Sequence, residues 1–197
     1  MPAASMVQRL CRIRAMLPAT ATRRSALTEL RQAARVLDAA RRRCGSPFAM
    51  SSALTAMARA CRSLHDEVNA EGSLDEALRW ARAAGSIDLV VALLCELCEV
   101  CAALGLATAE EDESPDPAAC ERMRDHAFEA STLANRVADA SWEAKVLMRI
   151  GAVLESCGDR DDAVLLQTRA LRLMSGSLAA GAPDPTLLPS LGRLADS

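Results

Sequence analysis

Residues 144–173 read AKVLMRIGAVLESCGDRDDAVLLQTRALRL, and this stretch decides the fold class. Leu147, Ile150, Gly151 and Leu154 recur at helical spacing and define one apolar stripe. Cys157-Gly158-Asp159 breaks the pattern with turn residues. Asp161 and Asp162 then place acid in the first turn of a new helix, where the helix dipole favours it. Ala163, Val164, Gln167, Ala170, Leu171 and Leu173 carry a second stripe. Small residues at Gly151, Ala163 and Ala170 let two helices approach closely. The stretch therefore reads as a helical hairpin.

Working outward, similar patterns recur. Ala58, Cys61, Leu64, His65 and Val68 form a stripe, and Glu71-Gly72-Ser73 is expected to turn the chain. Ser73 would cap the next helix, with Glu76 completing a capping box. Gly72-Ser-Leu-Asp-Glu-Ala77-Leu78 then matches Gly158-Asp-Arg-Asp-Asp-Ala163-Val164 in its glycine, acids, alanine and following aliphatic residue. A third copy starts after Gly85-Ser86, with Val91, Leu94, Leu97, Cys98 and Cys101 inward and Leu104-Gly105 at its end. Gly72 and Gly105 lie 33 residues apart, but Gly105 and Gly158 lie 53 apart. The excess falls on an acidic, proline-containing loop at about 106–119, after which a helix with Ala127, Phe128, Leu133, Ala134 and Val137 inward begins near Cys120.

This pattern resembles the tetratricopeptide repeat (TPR), whose period is about 34 residues and whose motif is W-x2-L-G-x2-Y followed by A-x3-F. The resemblance is strongest in 144–173, clear in 58–84, interrupted in 91–138 and weak in 1–43. The large aromatic positions of the motif are filled instead by Val68, Cys101, Leu154, Ala81 and Gln167, and Ser175 stands near the place of its final proline. The resemblance implies an all-α, TPR-like α-solenoid of stacked antiparallel helix pairs. It divides a single domain, 1–197, into a basic N-terminal hairpin (1–43), three repeat hairpins (47–175), and a linker with a capping helix (176–197). It also implies a concave groove that holds a peptide or helix of a partner. Carried over hairpin by hairpin, the groove residues are Arg59, Arg62 and Asp66, then Cys95 and Glu99, then Lys145, Met148 and Glu155. Plain exposed polar residues are the alternative.

Composition agrees with helices. The chain has no tyrosine, two phenylalanines and two tryptophans, whereas sheets favour aromatic and β-branched side chains. Residues 1–43 hold ten arginines against Glu29 and Asp38, a balance of +8 in a chain of net charge −3, so residues 44–197 carry −11. The basic end fits a solvated helix face or a dock for an acidic surface. It contains no aromatic residue to stack on bases, so nucleic acid is not an expected partner. Within it, Pro18 is expected to separate a first helix from a second over Arg23–Arg43, with Leu27, Leu30, Ala33, Val36 and Leu37 apolar. The first 28 residues contain no acid, and Met6–Leu17 is amphipathic and arginine-bearing, as mitochondrial transit peptides are. Cytoplasmic residence is the leading expectation and mitochondrial the alternative. No apolar run is expected to approach the ~20 residues that span a membrane.

Eight cysteines invite other readings. Cys95-x2-Cys98-x2-Cys101 shares a helix face, but structural metal sites want a fourth ligand and a loop, and core packing explains these thiols. Cys61 and His65 stand four apart, a spacing that could activate a thiolate, although both also fall on the inward stripe. His126 beside Asp125 reads as a surface residue. No phosphate loop, serine elbow or His-x3-His pair is present. The expectation is a non-catalytic binding adaptor without metal or cofactor. A structural subunit docked through its basic N-terminal hairpin, possible as a homo-oligomer, is the second expectation, and a thiol-based redox or metal sensor the third.

Overall fold

The computed structural model describes residues 19–42, 45–107 and 116–180. These form seven helices and, among the described residues, no strand: α1 (Ala19–Arg42), α2 (Pro47–Ser63), α3 (Glu67–Ala84), α4 (Ile87–Ala107), α5 (Pro117–Ala134), α6 (Ala140–Ser156) and α7 (Arg160–Ala180). Helix α2 packs mainly on α3, α4 on α5, and α6 on α7. These hairpins touch their neighbours through α3 with α4, α5 with α6 and α4 with α6, while α1 lies against α2. The expected first helix of 1–17, the core of the acidic loop and the capping helix at 185–196 lie outside the described residues.

Local chemistry explains the turns. Gly85 ends α3 at φ 69°, and Gly158 separates α6 from α7 at φ 89°. Both sit in the left-handed region that glycine enters without a Cβ penalty. Ser46, Asp66, Asp116 and Asp139 cap α2, α3, α5 and α6 by accepting hydrogen bonds from orphan backbone N–H groups.

The second hairpin turns elsewhere than the sequence pattern suggests. Helix α3 runs straight through Glu71-Gly72-Ser73, and the chain reverses at Leu64-His65-Asp66. His65 accepts a positive φ of 60°, and Asp66 takes the N–H of Asn69 at 3.2 Å. Ser73 is no cap: its hydroxyl donates back to the Asn69 carbonyl at 2.8 Å. His65 and Val68 consequently face solvent, with Val68 69% exposed. The structural register also differs from the glycine ruler. Leu54, Leu94 and Leu147 each stand eighth in α2, α4 and α6, followed four residues later by Ala58, Cys98 and Gly151; all six are buried. Ala77, Ala127 and Ala170 each stand eleventh in α3, α5 and α7 and are buried too.

Other expectations shift for the same reason. Gly105 lies inside α4, near the Cys120 sulfur of α5, rather than in a turn. Helix α5 starts at Pro117, and its inward stripe of Cys120, Met123, Ala127, Ala130 and Ala134 leaves Phe128 outside at 76% exposure. Val164, Leu27 and Val36 are exposed as well. Helix α7 continues to Ala180, past the expected linker start at 176. Finally, α4 is long and apolar enough by length and composition to cross a membrane, contrary to the expectation that no run approached that length. Its apolarity has a local reason: α4 touches α3, α5 and α6, and two-thirds of its apolar window is buried. A helix covered on most sides has no polar stripe to keep.

Candidate functional site

Helices α2, α4 and α6 meet along one face through a chain of ion pairs. The Arg59 guanidinium of α2 donates to Glu96 of α4, with Nε 3.2 Å from Oε1. One turn further, Arg62 Nη1 donates to Glu99 Oε2 at 3.0 Å. Arg149 of α6 closes the chain from the other side, with its Nε 2.7 Å from Glu99 Oε1. Burial alone would push the Glu99 carboxyl up, but the hydrogen bonds and charges of Arg149 and Arg62 outweigh it and hold it below its ordinary value. The arginines stand above the acids: the Arg59 side chain is 66% exposed, the Glu96 side chain 8%.

Beside this row lies a cleft of about 400 Å³ between α4 and α6. Ala102, Ala103 and Leu106 form one wall, and Arg149, Ala152, Val153 and Ser156 the other. Small side chains keep the helices apart only by their own radius, which leaves a shallow apolar floor flanked by charge.

The structure brings together Arg59, Arg62 and Glu99 of the expected groove residues and separates the rest. Asp66 is spent on capping α3. Cys95 is 2% exposed and belongs to the core beneath the face. Met148 packs against Ala144, Leu147, Ala170 and Met174, a small cluster between α6 and α7. Glu155 accepts from Gln167 of α7 at 3.2 Å, on the flank of the hairpin. Lys145 is exposed, with no ion pair among the described residues. Sequence reasoning missed Glu96, Arg149 and the small-residue floor. Arg149 stands four residues after Lys145, so a helical-face count from Lys145 would have found it.

The opposite side joins the second helices. Arg82 of α3 reaches Glu129 of α5 at 2.6 Å, Arg122 of α5 reaches Glu71 at 2.9 Å, and Arg124 reaches Asp159 at 2.8 Å. His126 faces Asp75 here and is half-buried rather than a plain surface residue; burial lowers its pKa, and Asp75 only partly opposes this. A second cleft, about 380 Å³, lies between α5 and α7 beside the exposed Phe128 and Leu165.

Among the described residues, Cys61, Cys95, Cys98, Cys101 and Cys120 are buried packing residues. Burial pushes the Cys95 thiol up to about 11 and Cys101 up to about 12, and raises Cys98 further. Cys98 donates to the Met123 carbonyl at 3.6 Å, and Cys101 to Glu71 at 3.3 Å. Cys61 is buried, and burial raises its thiol with help from Asp66 and Glu67, while His65 sits on the exposed turn. The pair does not form a thiolate-activating site. Among the described residues no group of three or more His, Cys, Asp or Glu is arranged to hold a metal ion.

No protein-family profile matches the chain, and no curated protein matches it. Among solved structures it is similar to BtubC (BKLC) from P. vanneervenii, at 17% identity and a TM-score of 0.52. The match covers 70% of this chain, which spans about half the length of that structure, 51%. At this identity the similarity is one of fold.

Proposed function

We propose that this chain is a TPR-like stack of helical hairpins that binds a segment of another protein on the face shared by α2, α4 and α6. The observation that carries the reading is the repeated register of Leu54, Leu94 and Leu147, with Ala58, Cys98 and Gly151 four residues on. It gives each hairpin the same large-then-small pattern, and such units bury a continuous core only by stacking. The step from Leu54 to Leu94 is 40 residues, longer than the ~34 of the TPR family, because α2 and α3 span 17 and 18 residues. The protein acts by holding, in the cytoplasm, and does no covalent chemistry.

The test uses two variants of the full chain. Leu106→Arg with Ser156→Arg fills the α4–α6 cleft, and Phe128→Ser with Leu165→Ser alters the opposite cleft. Partners captured by wild type and by the second variant but lost by the first support the reading. Loss confined to the second variant moves the binding face to α5 and α7 and overturns it.

An assembly subunit docked through its basic end is the second reading, and one observation favours it. Of the arginines on α1, Arg41 pairs with Glu76 at 3.1 Å, while Arg23, Arg24, Arg31, Arg35 and Arg42 carry no ion pair among the described residues. Exposed charges are screened beyond ~8 Å at ~0.15 M salt, so such an assembly should dissociate as salt rises.

A further inference from the structure

Helix α7 turns one row of side chains to solvent. Asp161, Leu165, Thr168 and Arg172 follow one another at steps of four, three and four residues, so they share one helix face, and all four are exposed. Ala163, Ala170 and Met174 mark the buried side of the same helix. Leu165 is 65% exposed and stands on the rim of the α5–α7 cleft, with Phe128, 76% exposed, on the other wall. Buried Ala127 and Leu154 lie beneath them, so the cleft is an apolar trough beside the exposed row.

The charges here are of two kinds. Arg124 and Arg169 line the cleft but are held within the chain, by Asp159 at 2.8 Å and by Glu143. Asp161 and Arg172, at the two ends of the row, carry no ion pair among the described residues. The spacing of the row is symmetric about the point between Leu166 and Gln167, while its two ends are opposite in charge. Against an identical helix running the other way, Asp161 therefore stands opposite Arg172 and Leu165 opposite Thr168, each pair formed twice about a two-fold axis. A parallel copy sets Asp161 beside Asp161 and Arg172 beside Arg172, and such like-charge contacts are unfavourable. A foreign helix has no reason to match this spacing, whereas a second copy matches it by construction.

We propose that a second copy of this chain packs on this face, α7 against α7 in antiparallel register, each α7 lying along the other copy's α5–α7 cleft and covering Phe128 and Leu165. The row from Asp161 to Arg172 spans ~17 Å, well within the ~32 Å of the 21-residue helix. The α2, α4 and α6 face lies on the opposite side and stays uncovered in both copies. The dimer then offers two partner surfaces at once, which raises the avidity for any partner that carries two segments. That consequence rests on the proposed function; the dimer itself does not.

Sedimentation equilibrium of the full chain tests it by reading mass against concentration. Wild type should pass from 20.9 kDa toward twice that mass as concentration rises. Asp161→Arg alone and Arg172→Asp alone each create two like-charged pairs in their own dimer, and each should raise the dissociation constant about tenfold or more. Mixing the two variants re-forms both opposite-charge pairs in a mixed dimer, so the mixture should recover the wild-type affinity, as should the two substitutions in one chain. Leu165→Ser, a change confined to the surface, should weaken the dimer without altering the circular dichroism. A wild type that stays at 20.9 kDa throughout the concentration series overturns the proposal. So does a dimer indifferent to both charge variants, or a loss that neither the mixture nor the double variant reverses. The readout is mass rather than partner capture, so failure here leaves the proposed partner face standing.

Discussion

Gly72→Ala tests the position of the second hairpin turn directly. Gly72 lies inside α3, is exposed, and an added Cβ would meet nothing within 4 Å. Alanine in a helix interior is worth about 0.5–1 kcal/mol over glycine, because the unfolded chain has less backbone freedom to lose. Nothing offsets that gain here, so the variant should be more stable by the same amount. For a domain of this size about 1 kcal/mol moves Tm by roughly 2–4 °C, which sets an expected rise of roughly 1–4 °C. Gly158→Ala is the control. At φ 89° alanine is strained whatever the space around it, and a loss of about 1–2 kcal/mol is expected. Paired urea and thermal unfolding followed by circular dichroism would read both signs. A glycine that turns the chain at 72 would make Gly72→Ala destabilising like Gly158→Ala, and that result would refute the continuous α3.

Leu94→Ala removes a fully buried side chain from the most enclosed helix and should cost about 2–5 kcal/mol, measurable as a shifted urea midpoint with unchanged slope. Cys95, Cys98 and Cys101 should resist alkylation in the native protein at pH 8 and react fully in urea; mass mapping of the labelled sites checks this. Their folded pKa values exceed the ordinary 9.0, so the folded state binds more protons than the unfolded state once pH passes 9. Stability should be at its full value below pH 9 and decline between about pH 9 and 12, and replacing Cys95 with alanine should weaken that decline. Glu99 has the opposite sign: its folded pKa is lowered, so its contribution is present above the ordinary carboxylate range and is lost as pH falls through the folded value. A Glu99→Gln variant should show a shallower acid limb in a pH series of unfolding midpoints.

How much was legible in the letters depended on how local the cause was. Gly158 and Gly85 mark real helix ends because a left-handed residue is chosen by its own missing Cβ. The inward stripes of α4 and α6 were legible for a similar reason: Val91, Leu94, Leu97, Cys98 and Cys101, and Leu147, Ile150, Gly151 and Leu154, all follow a single helix period and are all buried. The stripe of α5 was legible only in part, because alanines carry most of it and Phe128, the largest side chain nearby, drew the reading one position off. The groove residues fared likewise. Arg62 and Glu99 were both expected in the groove, but their pairing across 37 residues, and that of Glu99 with Arg149 across 50, was not legible, because helix periodicity carries no information across that separation.

The sequence by itself determined that this chain is helical, where two of its turns fall and which face of its central helix is buried. Each of those follows from residues within one or two helical turns of one another. Tertiary structure decided the register of α2 against α3, since both Gly72 and the Leu64–Asp66 segment can carry a reversal. Ala70, Leu74 and Ala77 are completely buried in the core shared with α2 and α4, and that packing requires α3 to begin at Glu67 and pass through the glycine. The row of arginines over Glu96 and Glu99 was decided in the same way, because charges on separate helices become neighbours only once the helices have stacked.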